Sequence, residues 1–243
     1  MRVFNGLDNL PAFTNAVATM GSFDGVHCGH RVLLDRVKRL ATELEGESIV
    51  LTFEPHPRYV LGTGDDRLLL TTIDEKLWLL EQAGIDNVIV IPFTTEFSLL
   101  SPEEYIEQVV VKLSLRALVV GYNHRFGHKK EGDYDFLERR NDFEVYMVEQ
   151  QQIVGSKVSS TILRQLLSQG LNAKAATLLG HDYLICATFG EDGTARVDEH
   201  KLLPTEGSYD VEANGESLRL HVLPDSTLRL EPQMQGEVKI WLR

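Results

Sequence analysis

Residues 21–30 read GSFDGVHCGH, with His27 and His30 three apart and glycines at 21, 25 and 29 among them. Histidines so spaced can bind a metal, move a proton or hold an anion. A His-x-x-His pair at a helix start gives zinc two ligands, but zinc ordinarily takes a third, with a carboxylate behind a ligating histidine. Asp24 is near, and nothing else in the stretch fits, so no protein-held metal is expected. One imidazole could serve as a general acid or base. The glycines favour the remaining chemistry. They let the backbone approach a ligand closely, and a helix beginning after them presents N–H groups and the positive end of its dipole. Two imidazoles added to such a turn make an anion cradle without lysine, and phosphate is the ligand it suits.

Such a turn must be positioned by the elements around it. NAVATMGSF (15–23) is a short apolar run ending at the turn, and 30–46 carries apolar residues at helical spacing up to Gly46. Further strands are expected at SIVLTF (48–53), NVIVIPF (87–93), ALVVGY (117–122) and FEVYMV (143–148). Helices are expected at 72–84, at 101–114 behind a Ser-Pro-Glu-Glu cap, at 159–170 and at 172–180. Short, nearly continuous apolar strands alternating with helices predict an α/β fold: a Rossmann-like, doubly wound parallel sheet of about five strands. Ligands in such sheets bind beyond the carboxyl ends of the strands. GSFDGVHCGH, EPHP (54–57) and NHRFG (123–127) each follow an apolar strand.

After residue 181 the pattern becomes YLICATF, TARVDE, GSYDVEA, SLRLHV, STLRLE and EVKIWLR, alternating strands with turns such as ANGE and LPDS. This predicts a division into residues 1–181, carrying the ligand site, and 182–243, a small antiparallel β module of about six strands. A core built from about 60 residues is small, so the module is expected to lean on the first domain.

The 243 residues carry 24 basic and 36 acidic side chains, a net charge of −12. That balance argues against a nucleic-acid partner, whose backbone is bound by basic patches. Cys28 and Cys186 lie far apart in no metal-type spacing. Cys28 reads as a small packing residue. The N-terminus lacks the apolar core of a signal peptide, and no run approaches the roughly 20 apolar residues that span a bilayer. A cytoplasmic protein with no membrane partner is expected, its oligomeric state left open.

GSFDGVHCGH resembles the G-x-F-D-G-x-H-x-G-H signature of the HxGH nucleotidyltransferase superfamily. More narrowly, the chain resembles the bacterial bifunctional riboflavin kinase/FAD synthetase family. TFEPHP (52–57) is similar to its T-F-x-P-H-P, and GYNHRFGHKKEGD (121–133) to its G-x-N/D-x-x-F-G-x-x-x-x-G-D. VSSTILRQLLSQG (158–170) resembles its S-S-T-x-x-R motif, and AATLLGHDY (175–183) its L-L-G-x-x-Y. These motifs stand in the family's order, and the resemblance covers about residues 15–185.

The resemblance implies an FMN adenylyltransferase, in which the phosphate of FMN attacks the α-phosphorus of ATP, giving FAD and pyrophosphate. Positioning and charge neutralisation dominate such chemistry. By resemblance, His27, His30 and Arg164 are the catalytic residues. Gly21, Ser22, Phe23, Gly29, Lys157, Ser159, Ser160 and Thr161 line the ATP phosphates. Phe53, Pro55, His56, Pro57, Asn123, Arg125 and Phe126 form the flavin side. Asp24 is expected to shape the turn rather than act in the chemistry. Mg²⁺ is implied with ATP, held by phosphates and water rather than by a protein cage. The family often has another basic residue inside S-S-T-x-x-R, where this chain has Ile162 and Leu163.

The family's kinase barrel carries a P-T-A-N motif after its first strand. Here LLGHDYLICATF enters the barrel correctly, and LLPTEGSYDV (202–211) then resembles the later L-P-x-x-G-x-Y-x-V strand start. The segment that should carry P-T-A-N is missing, and the chain ends before the family's C-terminal helices. Riboflavin kinase activity is therefore expected to be lost, leaving the β module as a remnant that covers the first domain or mediates self-association. Two other readings accompany the enzyme: an HxGH nucleotidyltransferase with a different phosphate acceptor, and a non-catalytic flavin or nucleotide sensor.

Overall fold

The computed structural model describes residues 1–62, 68–149, 152, 153 and 156–242, with backbone alone at 152, 153, 156 and 157. Six strands form one wholly parallel sheet: β1 (Arg2–Asn5), β2 (Val17–Met20), β3 (Ser48–Glu54), β4 (Asn87–Pro92), β5 (Ala117–Gly121) and β6 (Glu144–Val148). Their order is β1-β4-β3-β2-β5-β6. From β2 the chain winds outward through β3 and β4, then crosses back to β5 and β6. The switch point lies between β2 and β5, where doubly wound sheets hold their ligands.

The central strands are buried on both faces because their side chains alternate between two apolar layers. Ala18, Met20, Ile49, Leu51, Leu118 and Val120 pack with Ile106, Val109 and Val110. Val17, Ala117 and Val119 pack with Val37, Leu40 and Ala41 of the helix Cys28–Glu43. This is why the strands read as unbroken apolar runs.

A two-residue pair, β7 (Gln152–Ile153) with β8 (Ser156–Lys157), precedes the second large sheet. That sheet is antiparallel and contains β9 (Tyr183–Phe189), β10 (Thr194–Ala195), β11 (Gly207–Ala213), β12 (Glu216–Val222), β13 (Leu228–Glu231) and β14 (Gly236–Leu242), in the order β10-β13-β12-β11-β14-β9. β11 and β12 are joined by Asn214-Gly215, both at positive φ (52° and 84°). An Asn-Gly hairpin adopts this geometry because its twist matches that of the strands. Leu218, Leu220, Val222, Val238, Ile240 and Leu242 face a core shared with Leu163 and Leu167 of the helix Ser160–Ser168, Leu178 and Leu179 of the helix Asn172–Leu179, and Leu70. These two helices and Leu70 complete the core of the small sheet.

By internal contacts the chain divides into two compact units, neither a single stretch. One comprises Met1–Phe23, Gly29–Asp66 and Leu80–Gln151; the other comprises Asp24–Cys28, Arg67–Leu79 and Gln152–Arg243.

Four sequence expectations are corrected. The parallel sheet has six strands, not five. The sixth, β1, is a short edge strand with mostly exposed side chains, so no buried run announced it. The first helix begins at Cys28 rather than 30, which puts Gly29 and His30 in its first turn. The helix expected at 101–114 is α-helical only over Pro102–Tyr105 and continues as a π-helical segment, Ile106–Val111. TARVDE contributes only Thr194–Ala195 to a strand.

Candidate active site

The turn leaving β2 is built under tension. Gly21 N–H donates to Leu51 O at 3.0 Å, and Thr52 Oγ1 donates to Ser22 O at 3.4 Å, continuing the sheet past the strand end. Phe23, Gly25 and Val26 then take φ of +48°, +83° and +40°. A β-branched valine at positive φ costs about 1–3 kcal/mol and persists only where its surroundings over-determine it. Val26 is wholly buried.

Asp24 supplies much of that constraint. Its Oδ1 accepts from Leu70 N–H at 2.8 Å and Thr71 N–H at 3.1 Å, and its Oδ2 accepts from the Arg164 guanidinium. Gly25 N–H donates to Thr71 Oγ1 at 3.1 Å, and a His181 ring nitrogen lies 3.1 Å from Gly25 O. A Cβ at Gly25 would stand 2.7 Å from Leu70 Cδ1, so only glycine fits there. The expectation that Asp24 shapes the turn agrees with these bonds.

His27 is buried, and burial pushes its pKa down to about 4; a backbone hydrogen bond opposes this in part, and nearby His181 adds to it. At neutral pH it is an uncharged imidazole with a single N–H. The cradle at rest is therefore less positive than two histidines suggested. His30 is half-buried in the first turn of the helix Cys28–Glu43, its ring edge-on to Phe23 with centroids 5.1 Å apart. That turn contains no acidic side chain, so nothing there offsets the positive end of the dipole. Cys28 Sγ lies where a Cβ on Gly180 would be 2.7 Å away, a tight fit that agrees with a packing role.

The helix Ser160–Ser168 has Ser159 as N-cap, its Oγ accepting from Ile162 N–H at 3.4 Å, so that hydroxyl is engaged by its own helix. Ser160 Oγ donates to Asp24 O at 3.1 Å. Thr161 is exposed. Arg164 donates from Nε to Leu68 O at 2.6 Å and from Nη2 to Asp24. Ser160 and Arg164 thus join the turn directly, but Arg164 holds the turn together rather than offering an open fork to an anion. The side chain of Lys157 lies outside the described residues.

The flavin-side candidates divide into an aromatic wall and a rim. Phe53 is buried, with Phe97 5.9 Å away, Tyr105 5.6 Å from Phe97, and Phe126 5.3 Å from Tyr105. One continuous run of rings therefore links TFEPHP to NHRFG. Phe126 is packed inside this wall, also touching Phe136, rather than standing as an open face. His56 caps the helix Pro57–Val60, its Nδ1 accepting from Arg58 N–H at 3.2 Å. Pro55 is exposed, and Pro57 opens that helix. Asn123 is exposed; Arg125 is exposed and paired with Asp133 at 2.6 Å. His124, stacked on Phe126, has its pKa lowered to about 4 by burial.

Sequence reading missed Leu68, Leu70, Thr71 and His181 as partners of the turn, and Phe97 and Tyr105 as members of the wall. Most act through backbone groups or distant packing, for which no spacing rule exists. His181 alone left a trace, as the polar residue inside LLGHDY. Among the described residues, no group of three or more His, Cys, Asp and Glu could hold a metal ion, and no helix is long and apolar enough to cross a membrane.

Residues 10–162 match the family model described as FAD synthetase. The bifunctional riboflavin kinase/FMN adenylyltransferase of Listeria monocytogenes is 34% identical over 219 residues, covering 84% of this chain and 70% of its own. The protein of the same name from Escherichia coli K12 is 32% identical over 231 residues, covering 88% and 74%. A solved structure described as a macrolide-efflux protein from Streptococcus pneumoniae superposes with a TM-score of 0.85 at 21% identity, over 100% of this chain and 98% of that one. At that identity the likeness shows the fold alone, the parallel sheet with its small antiparallel module. The family match takes in the strained turn at 21–30, the end of β3 and the aromatic wall, and with well over half of the chain inside it, the chain belongs to the FAD synthetase family.

Proposed function

We propose that this protein is an FMN adenylyltransferase: it transfers AMP from ATP to FMN, forming FAD and releasing pyrophosphate. The observation that carries this reading is the FAD synthetase match over residues 10–162. An oxygen of the FMN phosphate forms a bond to the α-phosphorus of ATP as the bond to the bridging oxygen breaks. His27 and His30 face the polyphosphate, with Gly21, Ser22, Phe23 and Gly29 of the turn beside it. His27 begins as a neutral donor, and charge growing on the leaving pyrophosphate favours its protonated form. Ser160 and Thr161 at their helix N-terminus, and Lys157, belong to the same anion side. Ser159 acts through its cap, and Arg164 through Asp24. Phe53, Pro55, His56, Pro57, Asn123, Arg125 and Phe126 serve the flavin, Asn123 as the exposed amide for its polar edge. Mg²⁺ travels with ATP, held by phosphate oxygens and water.

We assign adenylyl transfer to residues 1–181 and read 182–243 as a riboflavin kinase module that has lost its activity. The support is internal: after β9 the chain lacks the P-T-A-N segment and passes to LLPTEGSYDV. The low cysteine content and acidic balance suit a cytoplasmic enzyme acting on small molecules without nucleic acid.

The test is chromatography of flavins after incubation of the purified protein with ATP and Mg²⁺, once with FMN and once with riboflavin. FAD from FMN and no product from riboflavin is the expected result. FMN appearing from riboflavin would overturn the loss of the kinase. No FAD from FMN, with nucleotide still bound, would shift the assignment to another acceptor or to a sensor.

A further inference from the structure

Glu75 and Lys201 form an ion pair at 2.7 Å with both side chains wholly covered. Every donor of the ammonium is used: Nζ lies 2.7 Å from Glu75 Oε2, Leu70 O and Leu184 O. The carboxylate is equally occupied, accepting from Thr72 N–H at 2.9 Å and Cys186 N–H at 2.7 Å. The ring of Tyr183 lies 4.2 Å from Nζ. Burial lowers the pKa of Lys201, and Glu75 opposes that fall. Stability alone does not explain such a pair, because well-packed apolar residues commonly serve as well or better.

What distinguishes this pair is the group it grips. The carbonyl of Leu70 is bound by Lys201, while the N–H of the same residue donates to Asp24 Oδ1 at 2.8 Å. The adjoining residue is pinned as well: Leu69 N–H donates to His200 O at 2.6 Å, and Leu202 N–H donates to Leu69 O at 2.8 Å. Leu70 is fully buried and packs where a side chain at Gly25 would go. One short strip is therefore fastened to residues 200–202 on one side and to the strained turn on the other.

We infer that Lys201 is a positioning residue for the adenylyl-transfer site, fixing Asp24 and the turn that carries His27 through the backbone of Leu70. The inference rests on the FMN adenylyltransferase reading for its catalytic consequence. It gives residues 200–202 a task independent of riboflavin phosphorylation: they brace the strip on which the turn depends.

The experiment compares the wild-type protein with Lys201→Met/Glu75→Gln and Tyr183→Phe. The first removes both charges together, so no buried charge is stranded. The second breaks only the bond from Tyr183 Oη to Leu202 O at 2.7 Å in the same core. Thermal unfolding, steady-state FAD formation and NMR titration of the His27 ring are measured on each. The double variant is expected to fold, to lose turnover by about 10- to 100-fold, as misplacement of a reacting group does, and to move the His27 pKa back toward its ordinary value. Tyr183→Phe is expected to melt earlier with turnover and His27 titration unchanged. Wild-type turnover and titration in the double variant, or activity lost by both variants only in step with stability, would overturn the inference. If the double variant does not fold, Lys201→Arg replaces it. The planar guanidinium keeps a charge beside Glu75 but cannot reproduce three bonds converging on one nitrogen, so the Leu70 carbonyl must shift and retained turnover there counts against the inference. If the wild-type protein makes no FAD, the functional reading fails, and the His27 titration alone decides whether Lys201 holds the turn.

Discussion

Arg164 is bonded to Asp24 through Nη2, while its other terminal nitrogen, Nη1, is covered and has no partner among the described residues. The pair lies mostly out of solvent, with side-chain exposures of 11% for Arg164 and 3% for Asp24. One arginine thus ties a helix start to the strained turn.

Removing that arginine leaves a buried carboxylate without its cation. Arg164→Met is expected to cost about 3–5 kcal/mol, read by urea unfolding, and to abolish FAD formation. Arg164→Lys keeps the charge but cannot reach Leu68 O and Asp24 together. It is expected to recover part of the stability and little of the turnover; full activity in the lysine variant would contradict the assignment.

Gly25 and Gly62 both have positive φ, +83° and +60°, but among the described residues a Cβ at Gly62 meets nothing within 4 Å. Gly62→Ala therefore measures the backbone penalty alone, about 1–2 kcal/mol. Gly25→Ala adds the collision with Leu70 and is expected to cost at least about 1 kcal/mol more. Equal melting temperatures for the two variants would show that the turn is not packed as described.

His27 and His124 are both depressed to about pKa 4 from an ordinary 6.5. Below pH 6.5 the unfolded chain takes up protons that the folded chain refuses, so stability falls as pH drops from about 6.5 to about 4. For buried His27 the full effect is about 3 kcal/mol. Denaturation curves across this window, with His27→Gln beside the wild-type protein, test it: the slope should be shallower in the variant. ATP binding should oppose the depression, so calorimetry near pH 6 in buffers of different ionisation enthalpy is expected to show proton uptake.

Asn123 is exposed beyond β5, on the chain that leads into the aromatic wall. Asn123→Ala is expected to raise KM for FMN severalfold with KM for ATP unchanged. A change in the ATP constant alone would remove Asn123 from the flavin side.

Much of this molecule is written in its sequence. The central strands could be read because two-sided burial forces continuous apolar residues, and the β11–β12 hairpin because Asn-Gly demands one turn geometry. The 21–30 turn could be read because glycines and histidines have few other reasons to cluster after a strand. The edge strand β1, with no buried stripe, could not. The bonds that hold the turn were equally hidden, because Leu70 contributes its peptide group and any residue would supply the same N–H and C=O. The resting state of His27 was also hidden, since a pKa depends on surroundings assembled from distant segments. The sequence marked the candidate ligand-facing residues better than the groups that hold their turn.

The bond from Lys201 to Leu70 spans 131 residues, and that from Arg164 to Asp24 spans 140. A chain made from its N-terminus has all six strands of the parallel sheet in sequence before either bond can close. The turn at residues 21–30, although encoded far upstream, must wait for residues 200–202 to leave the ribosome before it acquires all its restraints. Because contacts between residues far apart in sequence form slowly, the turn gains its last restraint only after Lys201 has been made: a nascent fragment that ends before Lys201 lacks the bond to Leu70 O.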